Sequence, residues 1–191
     1  DRENIDIDCD ILKEAYKYNK NIITVLINGS VVKTEEIEKY SSAIIESYYA
    51  GQTAGKALSL VLSGEVVPSG RLTETFVEDL SDSYAFGEEN DDEIFYREGM
   101  SVGYRYYVKK GVPVAYPFGF GLSYTKFDYS DFKIDKSSVS EKDDGVTVSV
   151  KVKNSGDYDG KEVVQIYLNG DGKNGDPDRK STRLNSSHRC I

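Results

Sequence analysis

Residues 8–64 read DCDILKEAYKYNKNIITVLINGSVVKTEEIEKYSSAIIESYYAGQTAGKALSLVLSG, and their apolar spacing decides the fold. Ile11, Leu12, Ala15, Tyr16 and Tyr18 recur at helical intervals, which predicts an amphipathic helix over 8–19. Ile22 to Ile27 is a β-branched apolar run broken only by Thr24, the pattern of a strand covered on both faces. Asn28-Gly29-Ser30 turns the chain. Thr34 is placed to cap a short helix to Tyr40, with Glu35 and Glu36 in its first turn. Ala43 to Tyr49 is a second buried strand. Thr53 to Leu62 is a helix with Ala54, Ala57, Leu58, Val61 and Leu62 on one side and Gly64 just past its end. Helix, strand, helix, strand, helix is the rhythm of an α/β fold: a mostly parallel sheet flanked by helices.

Working outward, residues 77–93 carry eight acids and read as an exposed loop. Tyr96 to Phe127, YREGMSVGYRYYVKKGVPVAYPFGFGLSYTKF, sets aromatic rings among five glycines and two prolines. No simple period fits it, so it is expected to be an irregular crossover in which rings pack and glycines let the backbone pass close. From Asp128 the texture changes. Phe127 to Ile134, Val146 to Val152 and Val163 to Leu168 alternate as strands, separated by SEKDDG and NSGDYDG turns. That is the opening of an immunoglobulin-like β-sandwich. A whole one needs about seven strands and 100 residues, so this part is expected to be incomplete, with exposed strand edges and an apolar sheet face.

Composition excludes more than it selects. The chain has 191 residues, 24 bases and 33 acids, a net charge of −9. This argues against nucleic acid or an anionic membrane surface as a partner. No apolar run reaches the ~18 residues of a membrane span. One histidine, His188, and two distant cysteines, Cys9 and Cys190, form neither a zinc site nor a Ser-His or Cys-His pair. Gly51-Gln52-Thr53-Ala54-Gly55 lacks the lysine of a phosphate loop. No metal or cofactor is expected. Asp178 to His188, DRKSTRLNSSH, looks like the in-frame translation of a short-read sequencing adapter, so 178–191 is expected to be a disordered artefact. Those residues hold one acid and four bases, which leaves −12, one cysteine and no histidine on 1–177. A single cysteine leans towards a reducing compartment such as the cytoplasm.

Four separated blocks stand in one order. They are Asp1-Arg2; Ile23 to Ser30; Tyr49-Ala50-Gly51-Gln52 running through Gly55, Gly64 and Pro68-Ser69-Gly70-Arg71-Leu72 to Thr75-Phe76; and YREGMSVGYRYY followed by YPFGFGLSYTKF. Together they resemble the C-terminal region of glycoside hydrolase family 3. The resemblance divides the chain into an α/β sandwich domain over 1–127, truncated at its N-terminus, and the start of a fibronectin-type-III-like domain over 128–177. It implies a retaining glycosidase, most like a β-glucosidase, acting on a carbohydrate substrate.

Glycoside hydrolysis uses two carboxyl groups. The resemblance implies a nucleophilic aspartate on a barrel domain elsewhere in the same polypeptide, and an acid/base glutamate just ahead of the Asp1-Arg2 pair. Neither lies in this chain, so the chain alone is expected to be inactive, with Asp1 and Arg2 approaching the substrate. Glu98 is the rival within the chain: burial among rings would raise its pKa towards that of a general acid, whereas pairing with Arg97 or Arg105 would make it structural. Arg71 and Arg105 read as stacked clamps or as sugar ligands. Tyr48, Tyr49 and the rings of 116–124 read as core or as sugar platforms. Two other activities fit the same blocks: a non-catalytic carbohydrate-binding or adhesion module, and a β-xylosidase-type relative.

Overall fold

A computed structural model of the chain describes residues 7–83, 99, 101–138, 140, 145–168 and 180–181. It divides into two compact units. The first comprises Asp1–Ser59, Arg71–Gly121 and Val164–Ile191; the second comprises Leu60–Gly70 and Leu122–Val163.

The first unit begins with helix α1 (Asp10–Tyr18), strand β1 (Ile23–Leu26), helix α2 (Glu35–Tyr40), strand β2 (Ala43–Glu46) and helix α3 (Ala54–Leu62). Asp10 and Lys17 sit at the ends of α1 that favour their charges. β1 and β2 pair in parallel, Ile23 with Ala43 through Leu26 with Glu46. The core lies on one face of this pair. Ile37 of α2 is 1% exposed, and with Cys9 and Leu26 it gathers Leu12, Val32 and Ile44. The sequence predicts β1 covered on both faces; the structure covers one. Strand alternation sends Leu26 to the helices and Ile23 to the other side, where Ile23 stays 52% exposed.

Two local expectations are corrected. Thr34 precedes α2 but does not cap it: its hydroxyl donates to Glu38 Oε1 at 2.7 Å. A carboxylate one turn on is a stronger acceptor than a backbone amide is a donor. The second strand stops at Glu46 rather than Tyr49, because Glu46 Oε1 accepts the Tyr48 N–H at 2.8 Å and bends the chain.

Further along the first unit, strand β3 (Phe76–Val77) pairs antiparallel with strand β4 (Val114–Tyr116). Leu72 and the Gly119–Phe120 backbone extend the pairing with two hydrogen bonds of 2.8 Å. Between them lies helix α4 (Tyr104–Lys110), where the sequence predicts only irregular crossover. The reason is local: no glycine or proline interrupts 104–110, Gly103 and Gly111 both take positive φ at its ends, and Lys109 and Lys110 fill its last turn. Tyr104 stacks on Phe118 at 4.9 Å and meets Tyr167 edge-on at 5.8 Å. Strand β7 (Tyr167–Leu168) pairs with β8 (Lys180–Ser181), inside the tail expected to be disordered. The pairing is backbone to backbone, so it needs no apolar side chains from the tail.

In the second unit, β5 (Phe127–Ile134) and β6 (Val148–Asn154) form an antiparallel pair. Asp131 and Phe132 oppose Val150 alone, and Asp131 adopts φ +55°, so the ladder carries a bulge. Thr125 donates to Asn154 Oδ1 at 2.7 Å, and Asn154 Oδ1 also accepts from the Gly156 amide at 3.1 Å. Val163 to Leu168, which crosses from the second unit into the first, does not form the full strand that its alternation predicts; only Tyr167–Leu168 pair. Phe132 is 64% exposed and Ile134 52%.

Ile37→Ala is expected to destabilise the fold by about 2–5 kcal/mol, because the vacated space lies inside the only helix–strand core of 7–62 to which α1, α2, β1 and β2 all contribute. Ile11→Ala, at a side chain 88% exposed, is expected to change stability by less than about 0.5 kcal/mol. Urea unfolding followed by circular dichroism measures both.

Candidate functional site

Parallel strands end on the same side, so β1 and β2 deliver their carboxyl termini to one edge. In open α/β sheets this edge is where ligands bind. Cys9, at the start of α1, packs with Leu26 at the end of β1, so the amino end of α1 lies there too. The loops that follow the strands carry Asn28, Gly29 and Ser30 on one side, and Glu46, Ser47, Tyr48 and Tyr49 on the other.

Each loop is held by a short hydrogen bond. Asn28 Nδ2 donates to the Ser30 carbonyl at 2.6 Å. Glu46 Oε1 accepts from the Tyr48 amide at 2.8 Å, and Tyr48 sits at φ +47°. That backbone region is uncommon for a bulky residue and marks strain. The Tyr49 ring lies against Gly29, where a Cβ would come 2.6 Å from its Cε2, so a side chain at 29 would have to displace the ring.

Among the described residues, three polar atoms at this edge are buried with no hydrogen bond: Asn28 Oδ1, Glu46 Oε2 and the Tyr48 hydroxyl. Burial pushes the Glu46 carboxyl above its ordinary pKa, only partly opposed by the Tyr48 amide and by Asn28. Burial also raises Glu74, and the charge of Glu46 raises it further. Both carboxyls are thus raised from their ordinary range, Glu46 by burial and Glu74 by burial and the neighbouring Glu46 charge.

A cavity of about 440 Å³ lies beside α2, β3 and β4, lined by Lys33, Thr34, Glu38, Val77, Val114 and Tyr116 among others. Two of its polar groups bond to each other. The Tyr116 hydroxyl donates to Glu38 Oε1 at 3.0 Å, and burial with that bond pushes Tyr116 up to about 12.

Of the residues that the sequence singles out, Asp1, Arg2 and Glu98 lie outside the described residues. Tyr48 and Tyr49 come together at the edge. Tyr116 and Phe118 take part in ring packing, Tyr116 with Phe120 at 5.1 Å and Phe118 with Tyr104. The Arg105 guanidinium lies 6.0 Å from the Tyr104 ring centre, while Arg71 leads into the Leu72 pairing. Asn28 and Glu46 were not legible as site residues. Their only signal is position: each is the first polar side chain after an apolar run, Ile-Thr-Val-Leu-Ile before Asn28 and Ala-Ile-Ile before Glu46. Among the described residues no three His, Cys, Asp or Glu side chains gather as metal ligands, and no helix is long and apolar enough to cross a membrane.

A carboxyl whose pKa is raised by folding is bound more tightly to its proton in the folded chain, so its contribution to stability is lost as pH rises through the folded value. Glu46→Gln keeps the acceptor for Tyr48 and removes the buried charge. The variant is expected to unfold at a higher temperature than the parent at about pH 8, by roughly 2–4 °C, with the two converging near about pH 4. Calorimetric scans across that range measure the difference.

Residues 1–124 match the model of the glycosyl hydrolase family 3 C-terminal domain. The chain is 49% identical over 160 residues to thermostable beta-glucosidase B of Acetivibrio thermocellus, a match that covers 83% of this chain and 21% of that protein. It is 36% identical over 174 residues to a beta-xylosidase of Formosa agariphila, covering 90% of this chain and 23% of the relative. The crystal structure of a Bifidobacterium adolescentis family 3 beta-glucosidase superposes with a TM-score of 0.87 at 36% identity, over 96% of this chain and 27% of that one. The chain thus spans about a fifth of the length of the curated relatives it matches. With an ordered match over 124 residues and a fold shared at this level, the chain belongs to glycosyl hydrolase family 3.

Proposed function

We propose that the chain is part of a glycosidase that hydrolyses O-glycosidic bonds with retention, as a β-glucosidase acting on β-glucosides or oligosaccharides. The observation that carries this reading is the match to the family's C-terminal domain over residues 1–124, shared with a beta-glucosidase at 49% identity. In this reading β1 and β2 belong to a larger parallel sheet, residues 1–127 are an α/β sandwich domain, and β5 and β6 open a fibronectin-type-III-like domain over 128–177. Residues 178–191 stand apart as adapter-derived sequence.

Both catalytic carboxylates lie outside the chain: the nucleophile on a barrel domain and the acid/base glutamate just ahead of Asp1. What the described residues provide is a rigid sheet edge beside which those groups would be set. A pentose-directed relative is the second reading, supported by the beta-xylosidase at 36% identity.

The test pairs this chain with the preceding polypeptide of a family 3 relative, ending just before the position of Asp1. Neither half alone is expected to release nitrophenol from an aryl β-glucoside, and the mixture is expected to do so. Turnover by this chain alone would place a catalytic carboxylate within it and make Glu98 the residue to replace. A mixture silent on both aryl β-glucoside and aryl β-xyloside would overturn the reading.

A further inference from the structure

We propose that the outer edge of β5 is an interface for a second copy of this chain, whose own β5 adds antiparallel to make a four-stranded sheet with the two β6 strands outermost. The inference stands apart from the glycosidase reading and does not depend on it.

Among the described residues no strand other than β6 pairs with β5. An unpaired edge is a row of backbone donors and acceptors, and so a template for another strand. Register fixes which side chains share a face. Phe127, Tyr129 and Ile134 stand opposite Asn154, Val152 and Val148, whereas Asp128, Ser130 and Lys133 stand opposite Lys153, Lys151 and Ser149. Faces alternate along β6, so the first set lies on one face of the pair and the second on the other. Phe132, next to Lys133, falls with the apolar set. Tyr129, Phe132 and Ile134 are all exposed.

The bulge that separates the two halves of β5 also sets the phase of its edge. The Ser155 amide donates to the Lys126 carbonyl at 2.8 Å, and the Asp135 amide donates to the Thr147 carbonyl at 3.1 Å. Both ends of β5 thus bond to β6, although an odd number of residues separates Lys126 from Asp135. Bonding alternates inward and outward along an antiparallel strand. Counted from each end, Phe127 and Tyr129, and then Ile134 and Phe132, turn their backbone groups away from β6 towards the open edge. A bulge often twists an edge out of reach of a partner; here it brings the two halves into step.

That phase makes β5 complementary to itself. Laid antiparallel on its copy about the Ser130–Asp131 bond, Phe127 of each chain faces Ile134 of the other, and Tyr129 faces Phe132. These are the pairs whose backbone groups point outward. Between them Asp128 of each chain faces Lys133 of the other. Every contact occurs twice, as a two-fold interface requires. Aromatic and opposite-charge pairs across strands stabilise, and like charges directly opposite destabilise. The edge of β6 has no such match: folded on its own centre it sets Lys151 against Lys151. Without the bulge β5 would fail as well, because one residue of each facing pair would point its backbone groups inward.

Sedimentation equilibrium on the full chain tests the interface. The parent is expected to dimerise at micromolar concentration. Asp128→Lys alone and Lys133→Asp alone each set like charges opposite one another at two places, and each is expected to weaken the dimer about 10-fold. An equimolar mixture of the two single variants is expected to form a heterodimer as tight as the parent, because opposite charges then meet again at both places. The mixture also separates the interface from damage to the fold. Asp128 faces Lys153 in its own ladder, and a strand spoiled there would not be rescued by a Lys133→Asp partner. A monomeric parent would overturn the proposal. So would single variants that dimerise as tightly as the parent, or a mixture no tighter than either variant alone, since association through the apolar face by itself is indifferent to these charges.

Discussion

Two strands that run in the same direction cannot be joined by a tight turn; the chain must cross back over the sheet between them. Here the crossing is α2, and Ile37 is what pins it, 1% exposed against Leu26 and Cys9. The consequences reach every other feature of 7–62. α1 returns the chain to the amino end of β1, so its start lies at the opposite end, beside Leu26. The loops after β1 and β2 open side by side, and the residues that end each strand are forced into proximity although 18 positions separate Asn28 from Glu46. Without the parallel register the unpaired polar atoms of Asn28, Glu46 and Tyr48 would have no reason to meet.

That edge is where stability and function pull apart. A fold selected for stability alone would not bury a carboxyl oxygen, an amide oxygen and a phenol without partners, since each costs about 1–3 kcal/mol. Nor would it hold a tyrosine at positive φ. Beside the cavity of the same unit, Glu38 collects hydrogen bonds from both Thr34 and Tyr116, and Thr75 accepts from the Phe118 amide at 3.3 Å.

Much of the fold was legible because periodicity reports burial directly. α1, β1, α2, β2 and α3 follow the apolar spacing of 8–64, and β5 falls on Phe127 to Ile134 as its alternation requires. The misses have physical causes. Tyr104–Lys110 hid in a segment dominated by rings and glycines, yet the two glycines that obscured it are its terminators. Thr34 carried a capping residue's identity, but Glu38 took its hydroxyl. Coverage of β1 depends on what packs over the sheet, which one strand's own sequence does not encode. The site was less legible still. Its residues are single polar positions at strand ends, indistinguishable in sequence from ordinary loop starts. What singles out Glu46 is a contact with the amide two residues on and the lack of one at its other oxygen, and both are properties of the folded chain.

The two loops of the edge also constrain each other. The Tyr49 ring, 75% exposed, lies over Gly29 in the space that a side chain there would enter. Tyr48, between Glu46 and Tyr49, is fixed from both sides: its amide by Glu46 Oε1, its successor by Gly29. The strain at Tyr48 and the missing Cβ at Gly29 are thus two parts of one arrangement, which sets how the loops after β1 and β2 meet.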